Sequence, residues 1–335
     1  MPALSTSTSL STRSGRFASG LMTGSTEKKA ETEKRLTSAK GTRLYRVFMS
    51  ASASGSLSFA YLAFGSLAGA TSTDGKSHPC IVEYLSSLLA MGRLIILSGP
   101  SCVGKGPLHA AFRNFYPEHA AKLRKLVLYN CRSPRPGEID GKDYHFRSRE
   151  EIEGLREEKN FIVLDVRGDL QAVDLNDAER RLGAGDLLFE GNPFVGRKLQ
   201  EAFASKVSVL SIFLAPLSSE EIVFLQSQER SLSLADFLTD VMRRKLLRRT
   251  QRQKNILSLK DLENIERRAT SAYTELKEAW NFHYVIPNHD GEDSENWDAF
   301  YYPVGDARKA LLAFAGLVGG KVSPLVEKWE ERLLS

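Results

Sequence analysis

Between Gly99 and Lys105 the chain reads GPSCVGK, two glycines with four residues between them and a lysine behind the second. Small residues at this spacing let successive backbone N–H groups close around phosphate oxygens, and a following helix adds the donors of its first turn. Gly99, Pro100, Ser101, Cys102, Val103, Gly104, Lys105 and Gly106 are therefore the candidate phosphate cradle, with Lys105 as a mobile point charge for the outer phosphates. A tight strand-to-helix turn is the plain alternative. The pattern G-x-x-x-x-G-K-[ST] is complete except for its last position, where Gly106 and then Pro107 stand. The missing hydroxyl normally helps to hold Mg²⁺ against the outer phosphates. Ser98 and Ser101 lie on the wrong side of the lysine to replace it, so the loop is expected to bind phosphate and to turn over poorly. Cys102 reads as a small, partly buried filler.

A second anion site is expected in CRSPRPGEIDGKDYHF. Arg132 and Arg135 lie three apart on a stretch stiffened by Pro134 and Pro136, so both guanidiniums can fork onto one phosphate. Tyr144 offers a hydroxyl to the same phosphate. Glu138 and Asp140 are acceptors suited to the N–H groups of a base. A solvated basic loop is the competing reading.

Two elements must position the first site. RLIILSGP reads as a buried strand, Arg93–Leu97, running into the glycines, and GPLHAAFRNFYPEHAAKL as a helix that pauses at Pro117. A Pro in the first helical turn is tolerated because its missing N–H would be unpaired there anyway. KLVLYN (125–130), Tyr144–His145–Phe146, DLLFEG (186–191), VSVLSIFLAP (207–216) and HYVIPN (283–288) read as further strands. Residues 236–281 and DARKALLAFAGLV (306–318) read as helical. Strands alternating with helices predict an α/β fold, a mostly parallel sheet with helices on both faces.

The GPSCVGKG loop followed by RSPRPGEIDGKDYHF resembles guanylate kinase and the guanylate-kinase-like domains, from about Arg93 to about Val318. The resemblance implies a P-loop NTPase fold with a small acceptor-binding subdomain (131–172) and a helical lid (226–275) inside a domain spanning 91–320. It implies direct in-line transfer of the ATP γ-phosphate, with Mg²⁺, to a nucleoside monophosphate, GMP foremost. Arg132, Arg135 and Tyr144 match the residues that hold the GMP phosphate, and Glu138 the acid of the same turn. Elsewhere the match loosens. The glutamate that reads guanine falls on Val163, which accepts no hydrogen bond; Asp165 replaces it only if the strand shifts register. The tyrosine on the acceptor phosphate falls near Gln171. Of the acids that orient magnesium, Glu190 alone remains, with Asn192 as a polar partner. Asn288 in VIPNHDGED matches the stretch beside the donor base, where it is expected to contact base or backbone.

MRRKLLRRTQRQK, Met242–Lys254, carries seven basic residues. With NIERRATSAYTEL behind it, it resembles the arginine-bearing lid, longer than in the family. Arg268 falls on a lid arginine, and the next lid position falls near Tyr273. RNA binding and a solvated basic face are the rival readings of the charge run. The resemblance thus assigns catalysis to Lys105, Arg132 and Arg268. Two other readings stay open: a kinase for another phosphorylated small molecule, and a weakly active domain that binds phosphorylated ligands.

The whole chain of 335 residues has 42% hydrophobic and 26% charged residues and a formal net charge of +5. That balance is ordinary for a globular protein and too small to imply nucleic acid. Cys80, Cys102 and Cys131 form neither a zinc pattern nor a disulfide framework, which favours a reducing compartment, the cytoplasm. Residues 1–90 are expected as a poorly structured extension. Residues 1–26 hold two arginines and no acid, as in a disordered tail, an organelle transit peptide or an upstream extension of the reading frame. Residues 27–49 suit a short helix. Ser56–Ala70 is apolar, but its 15 residues fall short of the roughly 20 that span a bilayer, so no membrane partner is expected. Residues 321–335 are expected as a helical tail. His109, His145, His283 and His289 read as ordinary polar residues, and a monomer and a homodimer fit equally.

Overall fold

The computed structural model describes residues 91–335 apart from 136, 228–232, 255 and 335. The expectations for residues 1–90 lie outside them. Nine strands are found among the described residues: β1 (Leu94–Ser98), β2 (Arg124–Lys125), β3 (Leu128–Asn130), β4 (Tyr144–Phe146), β5 (Phe161–Val166), β6 (Asp169–Asp174), β7 (Leu187–Gly191), β8 (Val209–Ala215) and β9 (Tyr284–Pro287). Around them lie the helices α1 (Lys105–Phe115), α2 (Pro117–Ala120), α3 (Arg149–Gly154), α4 (Leu175–Leu182), α5 (Pro193–Phe203), α6 (Ser219–Ser227), α7 (Leu234–Gln253), α8 (Leu259–Thr270), α9 (Ala272–Leu276) and α10 (Gly305–Val318).

The main sheet has the order β2-β7-β1-β8-β9, and every pairing in it is parallel. Central β1, LIILS, is buried along its whole length, as a strand covered on both faces must be. Successive side chains point to opposite faces. Leu94 and Ile96 join a core with Val195 and Leu199 of α5, while Ile95 and Leu97 join Leu108 and Phe112 of α1 and Phe314 of α10. Helices thus cover both faces, as the sequence predicts. Pro117 does mark a break: α1 ends at Phe115 and α2 begins at the proline.

KLVLYN is divided between two sheets. Lys125 ends β2 on the edge of the main sheet, and Leu128 opens β3 in a second sheet of order β4-β3-β6-β5. This smaller sheet is mixed: β3 and β4 run parallel, whereas β6 is antiparallel to both β3 and β5. Arg167 and Gly168, at φ 59° and 87°, close the β5–β6 hairpin; positive φ at both central residues is the turn that suits the strand twist. One face of the small sheet packs Val163, Leu170 and Ala172 on Ile152 of α3. The other, carrying Ile162, Leu164 and Val166, turns inward.

The basic run lies in α7, which buries Leu238, Met242, Lys245, Leu246 and Thr250. All seven of its basic residues find acceptors. Arg243 pairs with Glu266 of α8, Arg244 with Asp240, Arg248 with Asp293, Arg249 with Glu292, Arg252 with Glu295 and Lys254 with Asp261; Lys245 donates to the His289 carbonyl. Its charge is spent inside the chain, mostly on the acidic loop after β9. Residues 321–335 hold one turn of 3-10 helix, Glu331–Leu334, and an antiparallel bridge from Glu327 to Val285. Among the described residues no helix is long and apolar enough to cross a membrane.

Candidate phosphate-transfer site

The glycine loop joins β1 to α1, and its two glycines cannot be exchanged. Gly99 has φ 151° and Gly104 φ 101°. A Cβ on Gly99 would stand 2.3 Å from the Leu214 carbonyl oxygen, and one on Gly104 2.6 Å from that of Asp290. Cys102 adopts φ 65°, a left-handed conformation uncommon for a residue with a side chain. It is fully buried, and burial pushes its thiol up to about 12, so it stays protonated. Asn288 braces the loop from behind: its buried Nδ2 donates to the carbonyls of Val103, at 2.8 Å, and Asp290, at 2.7 Å. The contact is with the chain's own backbone. Asn288 does not line the cavity between the loop and the arginines, and neither do Pro100, Val103, Gly104 and Gly106.

Lys105 opens α1. Its Nζ donates to the carbonyls of Gly99, at 2.8 Å, and Pro100, at 2.6 Å, and burial lowers its pKa. The ammonium is folded over the loop, held by neutral carbonyls alone. Glu190, at the C-terminal end of β7, faces the corner that lacks a hydroxyl. One of its oxygens lies 3.9 Å from where a Cβ on Gly106 would be, and the other 3.1 Å from Nδ1 of His109. His109 was not legible as a partner; it sits three residues past Gly106, on the same side of the first helical turns.

Across the cavity, Arg132 is held by a two-pronged bond to Glu138, 2.6 Å on each side, and Glu138 also accepts from the Arg135 amide at 2.7 Å. Burial opposes both charges. The Glu138 bond nevertheless raises the pKa of Arg132, and Arg132 with the Arg135 amide lowers that of Glu138. Glu138, expected to meet the acceptor, thus has both oxygens committed to shaping the arginine clamp. Arg132 lies over the rings of Tyr144 and Phe146, 5.1 and 5.4 Å from their centroids. Arg135 has no hydrogen bond or salt bridge from its guanidinium among the described residues; surrounding protein first, then Arg132, lowers its pKa. Arg268 is brought down to about 9, by burial first and then by Arg135, Arg249 and Arg167. Its Nε meets only the Asn264 carbonyl-type oxygen, at 3.1 Å. Three guanidiniums crowding a fourth is an arrangement that an incoming polyanion relieves.

One cavity of about 190 Å³ touches both halves: Gly99, Ser101, Cys102 and Lys105 on one side, Arg132, Arg135, Glu138, Tyr144 and Gln171 on the other, with Glu190 and Arg268 at its rim. Asp165 is not brought there. It shares the outward face of β5 with Val163, accepts from the Gly168 amide at 2.7 Å, and lies 3.4 Å from Arg149. Its parity, two residues from Val163, turns it away from the cavity. Asp140 is exposed and caps the Phe146 amide at 2.7 Å.

Several lining residues were not anticipated: Asn130, Arg167, Asp169, Arg249 and Glu292. Glu292 pairs with Arg249 at 2.7 Å; burial would raise its pKa, but Arg249 and Lys105 bring it down. Arg167 forks onto fully buried Glu275 through two 2.6 Å bonds, and Glu275 also takes Asn192 at 3.2 Å. That network ties the hairpin tip, the end of β7 and α9 together. The alternation of FIVLDVRGDLQA around a single R-G turn was the one signal that could have placed Asp169 inside.

Fold and site together define a phosphate-loop α/β protein. A guanylate kinase family model matches residues 91–167. The guanylate kinase of Geobacter sulfurreducens is 32% identical over 224 residues, 66% of this chain and 89% of that protein. That of Wolinella succinogenes is 28% identical over 251 residues, 72% of this chain and 94% of that protein. Among solved structures, the guanylate kinase from Anaplasma phagocytophilum shares 21% identity, with a TM-score of 0.41 over 71% of this chain and 91% of its own. The chain belongs to the guanylate kinase family.

Proposed function

We propose that this protein transfers the γ-phosphoryl group of ATP to the phosphate of a nucleoside monophosphate, GMP among them. The observation that carries this reading is the single cavity shared by Lys105 and the Arg132–Arg135 clamp. An acceptor phosphate oxygen forms the new bond to the γ-phosphorus as the bond to the bridging oxygen breaks, and that electron pair leaves on the β-phosphate of ADP. No covalent enzyme intermediate is needed. Positioning and charge are what the protein supplies. Loop amides and Lys105 hold the donor phosphates; Arg132 and Arg135, with Tyr144, hold the acceptor phosphate. Arg268 and Arg249 meet the charge spread over the transferred oxygens.

Mg²⁺, when bound, neutralises the outer phosphates. The donor set fits it incompletely. Glu190 is a hard oxygen ligand at the end of a parallel strand, where such ligands gather, but Gly106 contributes none. Glu190 is the residue that would hold the ion or its water, with His109 orienting the carboxylate from behind.

The test is a coupled assay of the full chain with ATP, Mg²⁺ and nucleoside monophosphates. ADP release that depends on the monophosphate is expected. ATP binding with no transfer to any of them would overturn the enzyme reading in favour of a phosphate-binding domain, the alternative that the absent loop hydroxyl favours.

A further inference from the structure

The wall that the small sheet gives to the cavity changes character in steps. The antiparallel register pairs Asn130 with Gln171 and Tyr129 with Ala172, and the Cys131 amide donates to the Leu170 carbonyl. Continued in both directions, it sets Arg132 opposite Asp169 and Leu128 opposite Val173. Residues two apart share a face, so three rows line the wall about 7 Å apart. The first is charged, the second a pair of carboxamides and the third aliphatic. β5 adds only Ile162, Leu164 and Val166 to this side. Beyond the middle row the space continues into a second cavity of about 170 Å³, walled by Leu126, Leu128, Phe189 and the Lys125–Asp143 ion pair and joined to the first at Tyr144, Gln171, Glu138 and Glu190.

A nucleotide whose phosphate sits on Arg132 and Arg135 places its base one to two rows away, over the amides and the aliphatic floor. Asn130 is 1% exposed. Its Oδ1 accepts from the Arg132 amide, at 3.1 Å, and its Nδ2 has no partner among the described residues. Gln171 makes no side-chain hydrogen bond among them. The acids that line the two cavities are held by other partners or lie in another row. Glu138 is bound to Arg132, Glu190 faces His109, Glu292 faces Arg249, Asp143 accepts from the Ile139 amide and from Lys125, and Asp169 lies in the Arg132 row, level with the acceptor phosphate. The Watson–Crick edge of guanine presents two adjacent N–H donors, which a carboxylate accepts together. A carboxamide has one acceptor and one donor side and meets the edge of any base.

Resting on the kinase reading above, we infer that the acceptor site takes nucleoside monophosphates as a class, through their phosphate and the neutral Asn130–Gln171 pair, without selecting guanine. A site built to pair a polar edge rejects a mismatched analogue by about 10⁴-fold; this wall has no such device at the base.

The test is kcat/KM of the full chain for GMP, AMP and UMP at saturating ATP, beside equilibrium binding of each. The three values are expected to agree within about tenfold. Gln171→Glu, and independently Asn130→Asp should the first fail to fold, is expected to raise the GMP-to-AMP ratio about tenfold by supplying the missing carboxylate. A wild-type preference for GMP above about 100-fold, or a ratio unmoved in a folded variant, overturns this inference and leaves the kinase reading standing. Binding of ATP but of no monophosphate removes both.

Discussion

The two sides of the cavity are built by different means. The proposed donor side is backbone: a loop of six residues whose shape depends on Gly99 and Gly104 and on the brace from Asn288. The acceptor side is side chain: a guanidinium clamp set by Glu138 and a sheet face whose chemistry depends on which residues point inward. Backbone cradles bind phosphate whatever the loop's other side chains are, so Cys102 and Val103 do no harm. A side-chain wall changes its ligand with each substitution. The departures read from the sequence resemblance accordingly gather on the proposed acceptor side and at the Gly106 corner, while the glycine loop keeps all but one of its elements.

Substitutions on the two sides should separate them, and the largest effect belongs to the donor side. Lys105→Ala removes the ammonium folded over the loop, and transfer should fall by about 10³-fold or more, measured in the coupled assay. Arg132→Ala should raise the acceptor KM about 100-fold, because Glu138 is left half-buried without its partner; ATP affinity should not move. Equal losses in ATP and acceptor binding would erase the distinction between the sides.

Gly106→Ser is expected to act in the opposite direction. The Cβ meets only a Glu190 oxygen at 3.9 Å, so the hydroxyl fits and completes the corner. Turnover should rise about tenfold at low Mg²⁺, and an unchanged magnesium dependence would show that Glu190 does not serve the ion. Arg268 gives a pH signature. Its pKa of about 9 means that the charge is present below that value and lost as pH rises through it. Acceptor-phosphate affinity should therefore weaken as pH passes 9, with proton uptake on binding, and Arg268→Gln should flatten that limb. The smallest effect is expected at Asp165. Asp165→Asn should leave kcat/KM within about twofold and stability within about 0.5 kcal/mol.

Much of the donor side was legible because its signal is local. A buried apolar run, two glycines at fixed spacing and a lysine specify strand, loop and helix within a dozen neighbouring positions. The arginine clamp was legible for the same reason, its members lying within one turn. What escaped required register or long-range pairing. KLVLYN reads as one strand, yet Lys125 and Leu128 belong to different sheets, because nothing in six apolar-rich residues marks a crossing. Asp165 and Asp169 flank one hairpin, and only the R-G turn decides that the second faces inward. Glu275 and Glu292 look like surface acids in their helical and loop contexts; their partners Arg167 and Arg249 lie 108 and 43 residues away in sequence. The basic run of α7 likewise showed its charge but not the acidic loop that absorbs it.

The proposed transfer requires both cradles to act on one molecule pair. The most direct measurement is the affinity of a dinucleoside pentaphosphate, adenosine at one end and guanosine at the other, for the full chain and for the Lys105→Ala and Arg132→Ala variants. Occupation of both sides by one molecule predicts binding at least about 100-fold tighter than ATP, weakened by either substitution. An affinity equal to that of ATP and indifferent to Arg132→Ala would contradict it.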